Sequence, residues 1–342
     1  MGSRTCASPS SVTLLEFLRS KSSIDYDSLD MAVARQIGPF ADCTSNQWDA
    51  YVQLSDPTKA SVVKESLESA QKLHGDVGAA DMSVEELAVE IAASPGPSPG
   101  SYVPVLTAFQ MIKLALASVP FISGSIHVMC NPFYAWDADK IYQTGHHLSR
   151  LVMKVSATWE GMQACRRLRN DDVKTLATTL FTMEQAVLAG EAGCTSVSPF
   201  AHELRVHADP SYIGAGANLD LIVEAQRYYR QHGIPTKVKA CSFKTPDEMT
   251  SMAGIDAMTL PAGVLLHLDA TTDSRERLEA RCVLGSAGKG PGDGARRSYI
   301  RDRAGFNRAY LTNGMGKAKT EDAIAVFCGF QMRAEELVRS VM

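Results

Sequence analysis

No stretch of this chain approaches the roughly 18 to 20 consecutive apolar residues that a helical membrane span needs. The opening Met1-Gly2-Ser3-Arg4-Thr5-Cys6 has no basic region running into an apolar one, so it does not read as a secretory signal. Cys6 also stands where a myristoylation pattern needs Ser or Thr. A cytoplasmic protein without a membrane partner is expected. Positive charge is not in excess: 34 Lys and Arg against 38 Asp and Glu leave a net charge of -4. With no basic stripe interleaved with aromatics, nucleic acid is not an expected partner. The eight cysteines (6, 43, 130, 165, 194, 241, 282 and 328) include no CxxC pair. That argues against a zinc site and a compact disulfide framework, and most should be reduced thiols packed as small hydrophobes.

What is present suits a soluble globule. Hydrophobic residues make up 45% and charged residues 21%, enough apolar surface for a large core. A length of 342 residues would allow two domains, but α/β barrels run this long as one unit, and a single domain over 1–342 is expected. Short β-branched or apolar runs alternate with longer segments of helical period. Strands are expected at 24–26, 40–43, 125–129, 151–155, 174–180, 196–198, 236–241 and 257–260. Helices are expected at 62–73, 83–93, 104–117, 137–147, 159–169, 183–192, 219–232 and 246–253. Eight such pairs fit a closed (β/α)8 TIM barrel better than an open sheet. Additional structure includes a helix over 321–342, where apolar residues recur from Ile324 to Val341. Residues 93–101 and the glycine-rich 285–294 read as surface loops; the second lacks the Gly-Lys-Ser/Thr ending of a phosphate-binding loop.

One residue breaks the apolar pattern of the fourth expected strand. Lys154 lies within Leu151-Val152-Met153-Lys154-Val155. An ammonium taken out of water becomes easier to deprotonate, and a neutral amine adds to carbonyl carbon to form a Schiff base. The competing explanation is a strand lysine whose long stem reaches solvent. In a parallel barrel, reactive side chains gather at the carboxyl ends of the strands. Asp27, Asp42, Asn46, Thr178, Ser198, Ser242 and Lys244 fall at or just past such ends. Each also has a structural explanation, since Asp, Asn and Ser concentrate at helix caps and turns.

In combination these residues resemble a known family. Lys154-Val155-Ser156-Ala157-Thr158-Trp159-Glu160-Gly161 is similar to the Schiff-base lysine segment of transaldolases. In chain order, Asp42-Cys43-Thr44-Ser45-Asn46, Thr178-Thr179-Leu180-Phe181, Ser198-Pro199-Phe200 and Cys241-Ser242-Phe243 resemble the family's other motifs. The similarity runs from about residue 12 to the end of the sequence. It implies an α/β barrel that needs no cofactor and no metal. Its Lys154 would attack a ketose carbonyl and Asp27 would be the acid/base of carbon–carbon cleavage. Thr178 would assist, and Asn46, Asp42, Ser198, Phe200 and Ser242 would hold the substrate.

Two departures stand out. The family glutamate on the third strand, which shuttles protons, is replaced by Ser125, and His127 two residues on is the candidate to take over its work. The family arginines of the phosphate site are replaced by Glu203, which would repel a phosphate dianion, and by Lys244, which keeps charge but loses the planar fork. Arg205 is the candidate to compensate. The expectation is a transaldolase-like Schiff-base enzyme acting on a small-molecule carbonyl, diverged from sugar phosphates towards a specialised biosynthetic role. The alternatives are dihydroxyacetone transfer between sugar phosphates and an inactive barrel that binds a metabolite or protein. The terminal helix offers a packing surface for a homodimer.

Overall fold

The short apolar runs close into a barrel. The structure, a computed structural model, describes residues 11–59, 118–147, 151–286, 295–312 and 315–340. Its strands in chain order are β1 (Ser11–Thr13), β2 (Ser23–Asp27), β3 (Cys43–Thr44), β4 (Ile126–Met129) and β5 (Val152–Ser156). They continue with β6 (Lys174–Leu180), β7 (Ser196–Pro199), β8 (Lys237–Ala240), β9 (Ala257–Pro261) and β10 (Thr272–Ser274). Strands β2 to β9 form the closed barrel in sequence order, all pairs parallel, with β9 returning to β2 through Tyr26 opposite Leu260. β1 and β10 make a separate antiparallel ribbon.

Seven of the barrel strands fall where the sequence pattern placed them, while β3 forms at Cys43–Thr44, at the far end of the run expected over 40–43; the helices Ala138–His147, Trp159–Asn170, Met183–Ala192, Leu219–Gln231 and Pro246–Ser251 also match. The helices expected at 62–73, 83–93 and 104–117, the loop at 93–101 and most of the loop at 285–294 lie outside the described residues. Among the described residues no helix is long and apolar enough to cross a membrane, and no disulfide joins the cysteines.

Hydroxyl and amide side chains start the helices just beyond the strands. Asn46, Thr158, Thr182 and Thr245 each accept a backbone N–H at a helix N-terminus. β5 is buried along its whole length, as a strand covered by helices outside and side chains inside should be. A lysine at its centre therefore has only the barrel interior to enter.

The C-terminal helix Met315–Ser340 is longer than its apolar spacing suggested and crosses the mouth of the barrel. Trp48 of the helix Gln47–Leu54 stacks on its Phe330, with ring centroids 4.7 Å apart. Its Thr320 hydroxyl donates to the Thr179 carbonyl at 3.3 Å and accepts from Gln185 Nε2 at 3.1 Å. Lys319 forms a 3.0 Å ion pair with the buried Glu203. One apolar stack, one hydrogen-bonded node and one buried pair thus fasten this helix to three sides of the barrel.

Candidate active site

Strand alternation stacks the inward side chains in layers, and two layers here are polar. Asp25 and Asp27 lie two residues apart on β2 and so point to the same side, one deep and one at the carboxyl end. Asp27 pairs in register with Thr44, whose hydroxyl donates to its carboxylate. At this level a pocket of about 350 Å³ opens on the barrel axis. Asp27, Asn46, Lys154, Thr178, Ser198 and Ser242 all line it. Lys154 is only 7% exposed, and no carboxylate among the described residues lies within ion-pair distance of it.

Local backbone irregularity shapes the rim. β6 pairs Ala177 with Val197 and then Leu180 with Pro199, so Thr178 and Thr179 together oppose Ser198. That extra residue is a bulge, and Thr179 takes the left-handed φ of 50°. Ser242, just past β8, adopts φ 62°. Such backbone is disfavoured for residues with a Cβ, so it persists where the surroundings hold it, here Thr320 on the Thr179 carbonyl. The effect is to re-aim side chains at the strand ends next to Lys154. Ser198 Oγ donates to Cys241 Sγ at 3.2 Å, and burial pushes that thiol up to about 12, leaving it un-ionised.

The sequence did not single out several lining groups. Asp49, in the first turn of the helix after Asn46, enters the pocket beside Asp27 and Lys154. Burial pushes its carboxyl well above the ordinary carboxylate range, the nearby Asp27 charge adds to the shift, and Lys154 opposes it. His207, an exposed residue, reaches the pocket and lies 3.0 Å from Ser242 Oγ. The walls are apolar: Trp48, Phe200, Phe243 and Leu260 come from the barrel side, and Phe327 comes from the C-terminal helix.

Five expected site residues lie elsewhere. Asp42 precedes β3 at the amino end of the barrel and accepts the Ser125 N–H at 2.6 Å, holding Ser125 there too. Its other oxygen lies 3.0 Å from His127 Nε2 and 2.6 Å from Lys239 Nζ, and Lys239 also contacts Asp25 at 2.7 Å. His127 is therefore part of a buried layer beneath the pocket. Burial lowers its pKa, outweighing Asp42, and leaves it neutral. Burial likewise opposes ionisation of Asp42, but hydrogen bonds from His127 and the Lys239 charge hold it below its usual range. Arg205 is exposed, pairs with Asp209 at 3.3 Å and stacks on Tyr212. Lys244 is also exposed and outside the pocket lining.

Glu203 requires a correction of another kind. The expected repulsion of phosphate assumed a bare carboxylate at the site. Glu203 instead is buried, accepts the Ala215 N–H at 3.3 Å and is neutralised by Lys319. The cation missing at this position is real, but its replacement holds the terminal helix rather than repelling a ligand. Lys154 is the one lysine or arginine among the described residues that line the pocket. Among the described residues no three His, Cys, Asp or Glu side chains converge as metal ligands.

Known proteins are similar to this chain in sequence. The chain is 25% identical over 345 residues to a transaldolase of Acidobacterium capsulatum, covering 96% of this chain and 95% of that protein. It is 24% identical over 340 residues to a transaldolase of Agrobacterium fabrum, covering 95% and 96%. To the transaldolase NQM1 of Saccharomyces cerevisiae it is 31% identical over 202 residues, covering 55% and 57%. The model of the transaldolase/fructose-6-phosphate aldolase family matches residues 24–329, nearly the whole barrel and most of the helix that closes it, and the chain belongs to that family.

Proposed function

We propose that the protein is a Schiff-base enzyme that makes or breaks a carbon–carbon bond next to a ketone, with Lys154 as nucleophile and Asp27 as the acid/base. The observation that carries this reading is Lys154 itself, buried, free of an ion pair among the described residues and sharing one pocket with Asp27. Its amine adds to the carbonyl and water leaves, giving an iminium that accepts electrons as the adjacent bond breaks. Asp27 takes the proton from the hydroxyl of the departing aldehyde, and the Thr44 hydroxyl bond keeps its carboxylate oriented. Asn46, Thr178 and Ser198 supply hydrogen bonds to a hydroxylated donor.

The substrate lacks a phosphate. A phosphate dianion is usually met by arginine or lysine in fixed geometry. Here Glu203 and Lys319 neutralise each other, while Arg205 and Lys244 are directed to the surface. Apolar walls favour a donor or acceptor with a hydrocarbon portion, which suits a specialised biosynthetic reaction. The second reading, dihydroxyacetone transfer between sugar phosphates, is favoured by the names of relatives aligned over about 95% of the chain.

Borohydride trapping read by intact mass separates these readings. The panel is dihydroxyacetone, fructose, fructose 6-phosphate and an aryl hydroxyketone. Adducts at Lys154 from the unphosphorylated ketones, with poor turnover of fructose 6-phosphate, are expected. Efficient turnover of fructose 6-phosphate would restore the second reading, and no adduct from any ketone would leave a binding barrel without this chemistry.

A further inference from the structure

We infer that Asp49 is a second catalytic carboxyl of this site, the acid that expels water when Lys154 forms its Schiff base. The inference rests on the proposed lysine chemistry and adds a residue to it. Addition of an amine to a ketone gives a carbinolamine, and its hydroxyl is a poor leaving group until protonated. Asp27 is assigned to the later bond cleavage, so a second proton donor is needed next to the amine.

Asp49 is the other carboxyl among the described residues lining the pocket. It lines the same pocket as Lys154 and Asp27, and both are close enough to act electrostatically on its carboxyl. The titratable groups that act on it are Asp27 from β2 and Lys154 from β5, its own charge acts on the buried Cys43 thiol of β3, and Phe327 and His207 line the same pocket. Its orientation is fixed from behind. Oδ2 accepts the Asn46 N–H at 3.1 Å, while Asn46 Oδ1 accepts the Asp49 N–H at 3.2 Å. This reciprocal cap aims the side chain back towards the strand end. A carboxyl that served only as a cap would be expected ionised, favoured by the helix N-terminus. Burial and the Asp27 charge instead favour the protonated form, the state a proton donor must have.

The carbinolamine C–O bond breaks as the Asp49 proton passes to its oxygen, the nitrogen lone pair forms the C=N bond, and water leaves. Asp49 becomes a carboxylate beside the iminium cation. On hydrolysis it takes a proton from the attacking water and returns to its starting state.

The test compares wild type, Asp49→Asn and Asp49→Glu by the rate of cyanoborohydride trapping of dihydroxyacetone and fructose across pH. Asparagine can still accept the Asn46 N–H but cannot donate an acidic proton. Asp49→Asn should trap about 100-fold more slowly and lose the limb of the pH profile that reports the acid, in keeping with general acid catalysis. Asp49→Glu, which keeps both acid and cap, should retain that limb and fold if the asparagine variant does not. Trapping by Asp49→Asn at the wild-type rate and pH profile, or loss of the limb in a folded Asp49→Glu, would overturn the assignment and leave Asp49 a helix cap. No adduct even in wild type would overturn the lysine reading beneath it.

Discussion

Lys154 and Lys239 both enter the interior of the barrel, and each has two aspartates as neighbours. Lys239 donates to Asp25 and Asp42 at 2.7 and 2.6 Å and is 11% exposed. Burial alone would lower its pKa, but the two carboxylates outweigh burial and raise it. It is held as an ammonium with its protons committed. Lys154 shares its layer with Asp27 and Asp49, yet neither lies within ion-pair distance. Asp27 is turned to Thr44 and Asp49 to Asn46. A lysine and two aspartates can thus make either a structural pin or a reactive centre. What differs is reach: Lys239 bonds both of its carboxylates directly, whereas Asp27 and Asp49 stay beyond ion-pair distance of Lys154.

The sharpest way to break the contrast is to remove each lysine. Lys154→Met should abolish ketone trapping while leaving the fold intact; an adduct that persists on another barrel lysine would undo the distinction. Lys239→Met should instead cost about 3–5 kcal/mol in denaturant unfolding, because it leaves the buried Asp25 and the half-buried Asp42 without their cation. Next in size, Asp27→Asn should lower multiple turnover by about 10²- to 10⁴-fold while single-turnover adduct formation survives. Equal loss of both would move Asp27 into the addition step.

The pinned layer also predicts a pH dependence. The folded carboxyl of Asp42 titrates below its unfolded value, so its contribution is present above the unfolded value of about 4 and is lost as pH falls through the folded one. Urea midpoints should therefore drop more between neutral and acid pH in wild type than in Asp42→Asn. Equal drops would place the acid sensitivity elsewhere. The smallest effect is expected for Lys244→Ala, whose side chain is exposed: less than a twofold change in kcat/KM and within about 0.5 kcal/mol in stability. A large loss of activity would return Lys244 to the site.

Most of the fold was legible because period and turn chemistry are local. Seven of the eight barrel strands, and Lys154 as the charge interrupting one of them, follow from short stretches of sequence. The pocket was legible in part. Asp27, Asn46, Thr178, Ser198, Phe200 and Ser242 line it because strand ends point there by construction. Asp42 and His127 were misplaced because alternation gives the side of a strand but not the depth within the barrel. His127 does point inward, one layer too low. Asp49 was missed for a related reason. Asn46-Gln47-Trp48-Asp49 carries the signature of a reciprocal helix cap, but its alignment with the pocket depends on the distant stack of Trp48 on Phe330. Glu203 with Lys319 is another pairing that no local pattern reveals.

The C-terminal helix sets an order on how the site comes into being. Every strand of the barrel, and every polar group proposed for the chemistry, has been synthesised by residue 261, yet Phe327 and the Lys319 partner of Glu203 have not. A nascent chain with its barrel complete would hold an exposed amine in an open mouth. Carbonyl metabolites meeting Lys154 at that stage would find water on one side and no apolar wall to select them, so selectivity is acquired last, as the final helix docks.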